Sequence, residues 1–213
     1  MNKPKAVLFD LDGTLVDTLA DLAAATNTAL AHIGHAPYPL DDYRHMVGNG
    51  ARLLIARAVG KDATDPLTER VLADFLAIYA DHCLDETRPY DGILPMLDAL
   101  GDTPLAVVTN KPEPQARTIV HALFGDRFRT VCGGRADRPK KPDPQGTRDT
   151  LAALGLTTED VWFVGDSDVD MRTAQNAGLI GIGAAWGFRG AAELQAAGAY
   201  RVIAHPRELL ALL

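Results

Sequence analysis

Four segments of this 213-residue chain carry residue types that do chemistry once they are brought together. The first is Asp10-Leu11-Asp12-Gly13-Thr14-Leu15, which directly follows the apolar run Ala6-Val7-Leu8-Phe9. Two carboxylates this close repel each other unless a cation or a proton intervenes, so the pair points to metal and phosphate chemistry. Gly13 permits a sharp turn and Thr14 adds a hydroxyl. The second segment is Val107-Val108-Thr109-Asn110-Lys111, where a hydroxyl, an amide and nearby backbone N–H groups can hold phosphate oxygens. The third, Pro139-Lys140-Lys141-Pro142-Asp143-Pro144, sets a lysine pair between prolines that stiffen the loop; Lys141, adjoining Pro142, is the one expected in a site. The fourth, Val164-Gly165-Asp166-Ser167-Asp168-Val169-Asp170, holds three acids within five residues, whose repulsion calls for a compensating cation. Magnesium suits such a cluster better than zinc, because it takes hard oxygen ligands and keeps several waters.

Each segment also has a plain reading. Asp-Gly and Thr-Asn are common turn pairs, and a lysine pair is commonly a solvated basic turn. A calcium loop opening at Asp10 would need a glycine and a glutamate where Leu15 and Asp21 stand.

The elements that would position these groups follow from the apolar pattern. A run such as Ala6–Phe9, without polar alternation, reads as a strand covered on both faces, as in a parallel sheet. In open α/β sheets ligands bind outside the carboxyl ends of the strands, where this run delivers Asp10 and Asp12. Further strands are expected at Leu105–Val108, Thr130–Cys132, Val161–Val164, Leu179–Ile182 and Arg201–Ile203, with helices between most of them. That alternation predicts an α/β fold built from right-handed βαβ units, a Rossmann-like parallel sheet. Between the first strand and about Leu84 only helices are expected. Asp17 or Thr18 can cap the first, and Asp65-Pro66 opens a long one through Val71, Phe75, Ile78 and Tyr79. Residues 16–87 are therefore expected to form a separate helical lobe over Asp10, with residues 1–15 and 88–213 as the core.

Bulk properties narrow the class. A net charge of −7 argues against nucleic acid as the main partner, since phosphate-backbone binders present a basic face. No apolar stretch approaches the roughly 20 residues that cross a membrane, and the start has too few apolar residues for a secretion signal. Cys83 and Cys132 form no CxxC pair and read as reduced thiols, so the cytoplasm is the expected compartment.

With all four segments in view, the chain resembles the haloacid dehalogenase-like superfamily of phosphohydrolases, and within it the phosphoglycolate phosphatases of bacteria. The resemblance rests on Asp10-Leu11-Asp12-Gly13-Thr14-Leu15-Val16-Asp17, Val108-Thr109-Asn110-Lys111-Pro112, Lys141-Pro142-Asp143-Pro144 and Gly165-Asp166-Ser167. Its finer part rests on Val47-Gly48-Asn49-Gly50-Ala51, Pro89-Tyr90-Asp91-Gly92 and Ala185-Trp186-Gly187-Phe188-Arg189. It implies that the helical lobe is a cap and that Asp10 is the nucleophile attacking a phosphate monoester. Asp12 would act as acid and then base, and Lys141 would screen Asp10. It further implies Mg²⁺ held by the Asp10 side chain, the Asp12 carbonyl and Asp166, with Asp170 in the outer shell, and Thr109, Asn110 and Lys141 clamping phosphate oxygens.

For the substrate, the expectation is that backbone N–H groups of Gly48, Asn49 and Gly50, helped by Arg52 or Arg189, receive the carboxylate of a small acid such as 2-phosphoglycolate. A plain interhelical turn is the competing reading of that loop. Other candidates are a phosphosugar mutase, a phosphatase for a sugar phosphate or pyrophosphate, and a phospho-acceptor signalling domain, which would need neither the lobe nor Asp12. A haloacid dehalogenase fits less well, because Asp12 and the Gly165-Asp166 segment suit phosphate transfer. The expected partner is a small-molecule phosphate ester, with no membrane, and the chain is expected to be a monomer or homodimer. Asp168 has no assigned role beyond a helix N-terminal charge.

Overall fold

A computed structural model of the chain describes residues 3–213. The first strand, β1 (Ala6–Phe9), is followed by a two-residue strand, β2 (Val16–Asp17). Helices α1 (Leu19–Ala31), α2 (Tyr43–Met46), α3 (Ala51–Val59) and α4 (Pro66–His82) come next, and then β3 (Arg88–Pro89). The remainder alternates: α5 (Ile93–Ala99), β4 (Leu105–Pro112), α6 (Glu113–Phe124), β5 (Thr130–Gly134), α7 (Gln145–Leu154), β6 (Val161–Gly165), α8 (Asp168–Ala177), β7 (Ile180–Ala184), α9 (Gly190–Ala196) and β8 (Arg201–Ile203).

Six strands form one sheet in the order β5-β4-β1-β6-β7-β8, every pairing parallel. The α/β class and the parallel sheet expected from the apolar runs are both present. β1 lies inside the sheet, with Val7 opposite Leu105 on one side and Trp162 on the other. Side chains alternate across a strand, so Val7 and Phe9 join a large core that continues into the helices, while Ala6 and Leu8 join a smaller one with Val108 and Phe163. Full burial of a side chain such as Phe9 or Leu8 contributes about 1.5–3 kcal/mol, which anchors the strand ends that carry the chemistry.

Four strands differ at their ends from expectation, two of them slightly: β5 runs on to Gly134 and β6 to Gly165. β4 continues past Val108 to Pro112, because Thr109, Asn110 and Lys111 remain buried and the pairing with β5 resumes, shifted in register, at Pro112 opposite Gly134. β7 begins at Ile180 and runs two residues beyond Ile182.

The chain leaves and re-enters the sheet region through one antiparallel ribbon, with Val16 opposite Pro89 and Asp17 opposite Arg88. Beside it the buried Asp21 carboxylate accepts from the Glu86 and Thr87 backbone N–H groups, each at 2.9 Å, and from the Thr87 hydroxyl at 2.7 Å. α1 starts where Asp17 accepts from Leu19 N–H at 3.1 Å, so Asp17 serves the helix end and Thr18 is left for another partner. α4 is capped by Asp65 at 2.8 Å with Pro66 in its first turn. Its residues Val71, Phe75 and Tyr79 recur every four positions on the buried side, and the Phe75 and Tyr79 rings stack at 5.3 Å. Among the described residues no helix is long and apolar enough to cross a membrane.

Candidate active site

The carboxyl ends of β1 and β6, the first turn of α8 and the loop before α7 bring three acids and one lysine together. The Asp10 N–H donates to the Val164 carbonyl at 2.9 Å, which fixes the residue as an extension of the ladder between β1 and β6. The Lys141 ammonium lies 2.9 Å from Asp10 Oδ1 and 2.7 Å from Asp170 Oδ1, with its side chain 4% exposed. The other oxygen of Asp170 accepts from the Ser167 N–H at 3.1 Å and from its hydroxyl at 2.6 Å, as half of a capping box that starts α8. Asp166 accepts from the Thr14 hydroxyl at 3.3 Å and from the Phe188 N–H at 2.7 Å. Carboxylate oxygens of Asp10, Asp166 and Asp170 all lie within 4.8 Å of one another. Two glycines allow this closeness. A Cβ on Gly13, whose φ is +82°, or on Gly187 would collide with the Asp166 side chain.

Three buried carboxylates against one ammonium leave excess negative charge. Burial, reinforced by Asp170, pushes Asp10 up to about 6 despite the opposing pull of Lys141. Burial, with the charges of Asp170 and Asp10, holds Asp166 well above the ordinary carboxylate range. Burial alone would lower the Lys141 ammonium, but Asp10 and Asp170 outweigh it and keep it above its ordinary value. A hard divalent cation fits this donor set: it adds the missing charge, and Asp10 Oδ1 is buried without a well-aligned hydrogen bond. Asp170 has both oxygens engaged, which suits an outer position.

A second buried ion pair lies beside the first. The Asp12 carboxylate accepts from the Lys111 ammonium at 2.9 and 3.3 Å and from the Thr18 hydroxyl at 2.9 Å. Lys111 also donates to the Tyr79 hydroxyl at 2.6 Å and sits 4.5 Å from that ring's centre, so it joins the core to helix α4. Burial pulls this ammonium down, but Asp12 and Tyr79 together hold it above its ordinary value. Lys111 was not among the expected site residues.

Asn110 is tied into the scaffold. Its carbonyl oxygen accepts from the Lys141 N–H at 2.8 Å, and its amide donates to the carbonyls of Lys141 at 3.1 Å and Gly48 at 3.2 Å. It thereby clasps the lysine loop on one side and the loop between α2 and α3 on the other. The Thr109 hydroxyl accepts from the Lys111 N–H at 3.2 Å.

These groups border a partly open cavity of about 40 Å³, room for roughly three water molecules. Asp10, Asp12, Thr109, Asn110 and Lys111 line it from the sheet, and Val47, Gly48, Gly50, Leu54, Phe75 and Tyr79 from the helical side. Asn49, Arg52 and Arg189 are not among the described residues that line it. Arg52 is held by Glu69 and by the Ala63 carbonyl, across the surface between α3 and α4. Arg189 donates to the Val47 carbonyl at 3.0 Å and contacts His45, and Asn49 accepts from Arg57 at 2.7 Å. Lys140 faces Gly50 rather than the acids: a Cβ there would meet its ammonium at 2.7 Å. Asp168 pairs with Arg172 at 3.0 Å in the first turn of α8, and the Trp186 ring N–H donates to the Thr14 carbonyl at 2.9 Å.

Comparison with known proteins points the same way. Residues 7–184 match the model of the haloacid dehalogenase-like hydrolases. The chain is 42% identical to a phosphoglycolate phosphatase of Rhodospirillum rubrum over 87% of its own length and 81% of that protein. It is 37% identical to an N-acetylmuramic acid 6-phosphate phosphatase of Pseudomonas aeruginosa over 98% of its length and 94% of that protein. A crystal structure described as a predicted phosphoglycolate phosphatase from Haemophilus somnus superposes with a TM-score of 0.89 at 28% identity, covering 100% of this chain and 99% of that one.

Proposed function

Because the chain belongs to the haloacid dehalogenase-like hydrolases and is a phosphoric monoester hydrolase, we propose that it cleaves a small ester, 2-phosphoglycolate, to glycolate and phosphate. The observation that carries this reading is the buried Asp10 carboxylate, 2.9 Å from the Lys141 ammonium, at the wall of a small cavity.

In this reading an Asp10 oxygen attacks phosphorus, and the P–O bond to the substrate carbon chain breaks as an aspartyl-phosphate forms. Asp12 hands its proton to the departing alkoxide. It then takes a proton from the water that attacks phosphorus and releases Asp10. The Thr109 hydroxyl and the Lys141 ammonium hold the non-bridging oxygens, and Asn110 sets the Lys141 loop in place. Asp10, the Asp12 carbonyl and Asp166 would hold Mg²⁺, with Asp170 behind them. When bound, the ion offsets the charge that builds as an anionic nucleophile meets an anionic phosphate. Residues 16–87 act as a cap that excludes water, hinged on the β2–β3 ribbon, over a core of residues 1–15 and 88–213. The enzyme works in the cytoplasm as a monomer or homodimer.

A second reading is favoured by one observation. The 37% identity to an N-acetylmuramic acid 6-phosphate phosphatase, over 98% of the chain, favours an amino-sugar 6-phosphate as the ester. A Mg²⁺-dependent phosphate-release screen decides between them. With 2-phosphoglycolate, N-acetylmuramic acid 6-phosphate, hexose phosphates and pyrophosphate side by side, the highest kcat/KM is expected for 2-phosphoglycolate. Phosphate moved within a sugar rather than released would identify a mutase, and no turnover of any ester by folded protein would end the phosphatase reading.

The raised value of Asp10 gives a metal prediction with a definite sign. An acid held at about 6 when folded and 3.8 when unfolded costs nothing below pH 4; the cost grows between pH 4 and 6 and is complete above. Mg²⁺ is therefore expected to raise the Tm of metal-free protein by several degrees at pH 7.5 and by much less at pH 5, in a thermal scan at each pH. An equal shift at both values would contradict the assignment of Asp10 to the ion.

A further inference from the structure

We propose that Lys111 selects for a carboxylate on the substrate, its ammonium receiving that group when Asp12 engages the ester oxygen. This rests on the reading of the reaction above and assigns the substrate's second anionic end to a residue outside the expected set. Among the described residues that line the cavity, Lys111 is the one cation. Its side chain is 2% exposed, so its charge acts with little screening by water. Its polar partners are the Asp12 carboxylate and the Tyr79 hydroxyl.

Asp12 has to serve the ester oxygen during turnover and cannot hold the ammonium at full strength throughout. A buried ammonium left with one phenol is costly, and an incoming carboxylate relieves that cost. The Asp12–Lys111 pair thus keeps the place of the bound carboxylate. The two arginines near the glycine loop are committed elsewhere, Arg52 to Glu69 and Ala63 and Arg189 to Val47 and His45, and Lys140 lies against Gly50 without lining the cavity. The remaining helical side of the cavity offers apolar side chains and glycines.

Lys111, in the cavity wall beside Asp12, and Lys141, 2.9 Å behind Asp10, therefore set two positive charges, one for a second anion and one behind the nucleophile for the phosphate. Asp10 and Lys111 border the same 40 Å³. In this arrangement the phosphate of a two-carbon ester sits at Asp10 and its carboxylate at Lys111, both of which line the one cavity.

The test compares 2-phosphoglycolate with 2-hydroxyethyl phosphate, which keeps the two-carbon skeleton and lacks the carboxylate. Wild-type enzyme is expected to favour 2-phosphoglycolate in kcat/KM. Lys111→Met should cut that preference by about 30-fold or more, the worth of a charged hydrogen bond. Lys111→Gln, which keeps a donor for Asp12 without the charge, should cut it similarly and guards against a Met variant that does not fold. If both esters lose activity in equal proportion, Lys111 merely positions Asp12 and the inference is overturned while the phosphatase reading stands. If wild-type enzyme does not favour 2-phosphoglycolate, the substrate assignment itself fails and takes the inference with it.

Discussion

Asp10→Asn is expected to lower kcat by at least about 10⁴-fold on every ester, while leaving the metal-free protein folded and more heat-resistant than wild type. The catalytic loss follows from chemistry, since a neutral amide at the end of β1 cannot form the acyl phosphate. The gain in stability follows from electrostatics. Burial, with the like charge of Asp170, outweighs the pull of Lys141 on Asp10, and Asp166 stands in the same cluster. The amide removes one repelling charge and leaves Lys141 paired with Asp170 at 2.7 Å. Phosphate release and a thermal scan in chelator at pH 7.5 read the two halves. A variant that melted well below wild type would mean that Asp10 holds the fold together, contrary to the charge balance described here.

Lys141→Met is expected to destabilise the fold by about 3–5 kcal/mol in the absence of metal, because it strips the single ammonium from a cluster of three buried carboxylates. For a domain of this size each kcal/mol moves Tm by about 2–4 °C, so a drop near 10 °C should be seen alongside loss of turnover. Urea titration gives the free energy, and millimolar Mg²⁺ should recover part of it by supplying positive charge to the same oxygens. Combining Lys141→Met with Asp10→Asn should cost less than Lys141→Met alone, since the amide relieves the repulsion that the lost lysine had offset. If the double variant were less stable than either single one, the cluster would not be the source of the effect.

How far the sequence carried the structure can be traced residue by residue. Asp10, Thr109 and Asp166 stand at the ends of apolar runs, and a parallel sheet brings such ends to one edge whatever the loops do. Lys141 was legible through its flanking prolines. Lys111 was not, because a lysine after Thr-Asn reads as a solvated turn, and the burial that makes it matter comes from Tyr79, 32 positions away on another helix. The aim of the arginines is hidden from the sequence for a related reason. Arg52 and Arg189 lie near the glycine loop in space or sequence, yet their aim is set by Glu69, Val47 and His45, partners supplied only by the packing of the helices. One signal was available and unused: Ser167 three residues before Asp170 is a capping pattern, and it shows why Asp170 has an oxygen committed to its own helix.

The narrow ribbon joining the helices to the sheet bears on how such enzymes diversify. All 70 residues between its two strands hang from adjacent points, Asp17 and Arg88, so their number and arrangement can change without shifting any strand of the sheet against its neighbour. An insertion there leaves Asp10, Thr109, Lys141 and Asp166 where they are. A change in the helices can therefore leave the groups carried on the sheet edge in place. Lys111 is the exception, a sheet residue that reaches across to Tyr79, so exchanging the helices would also release the cation on which we place the choice of substrate.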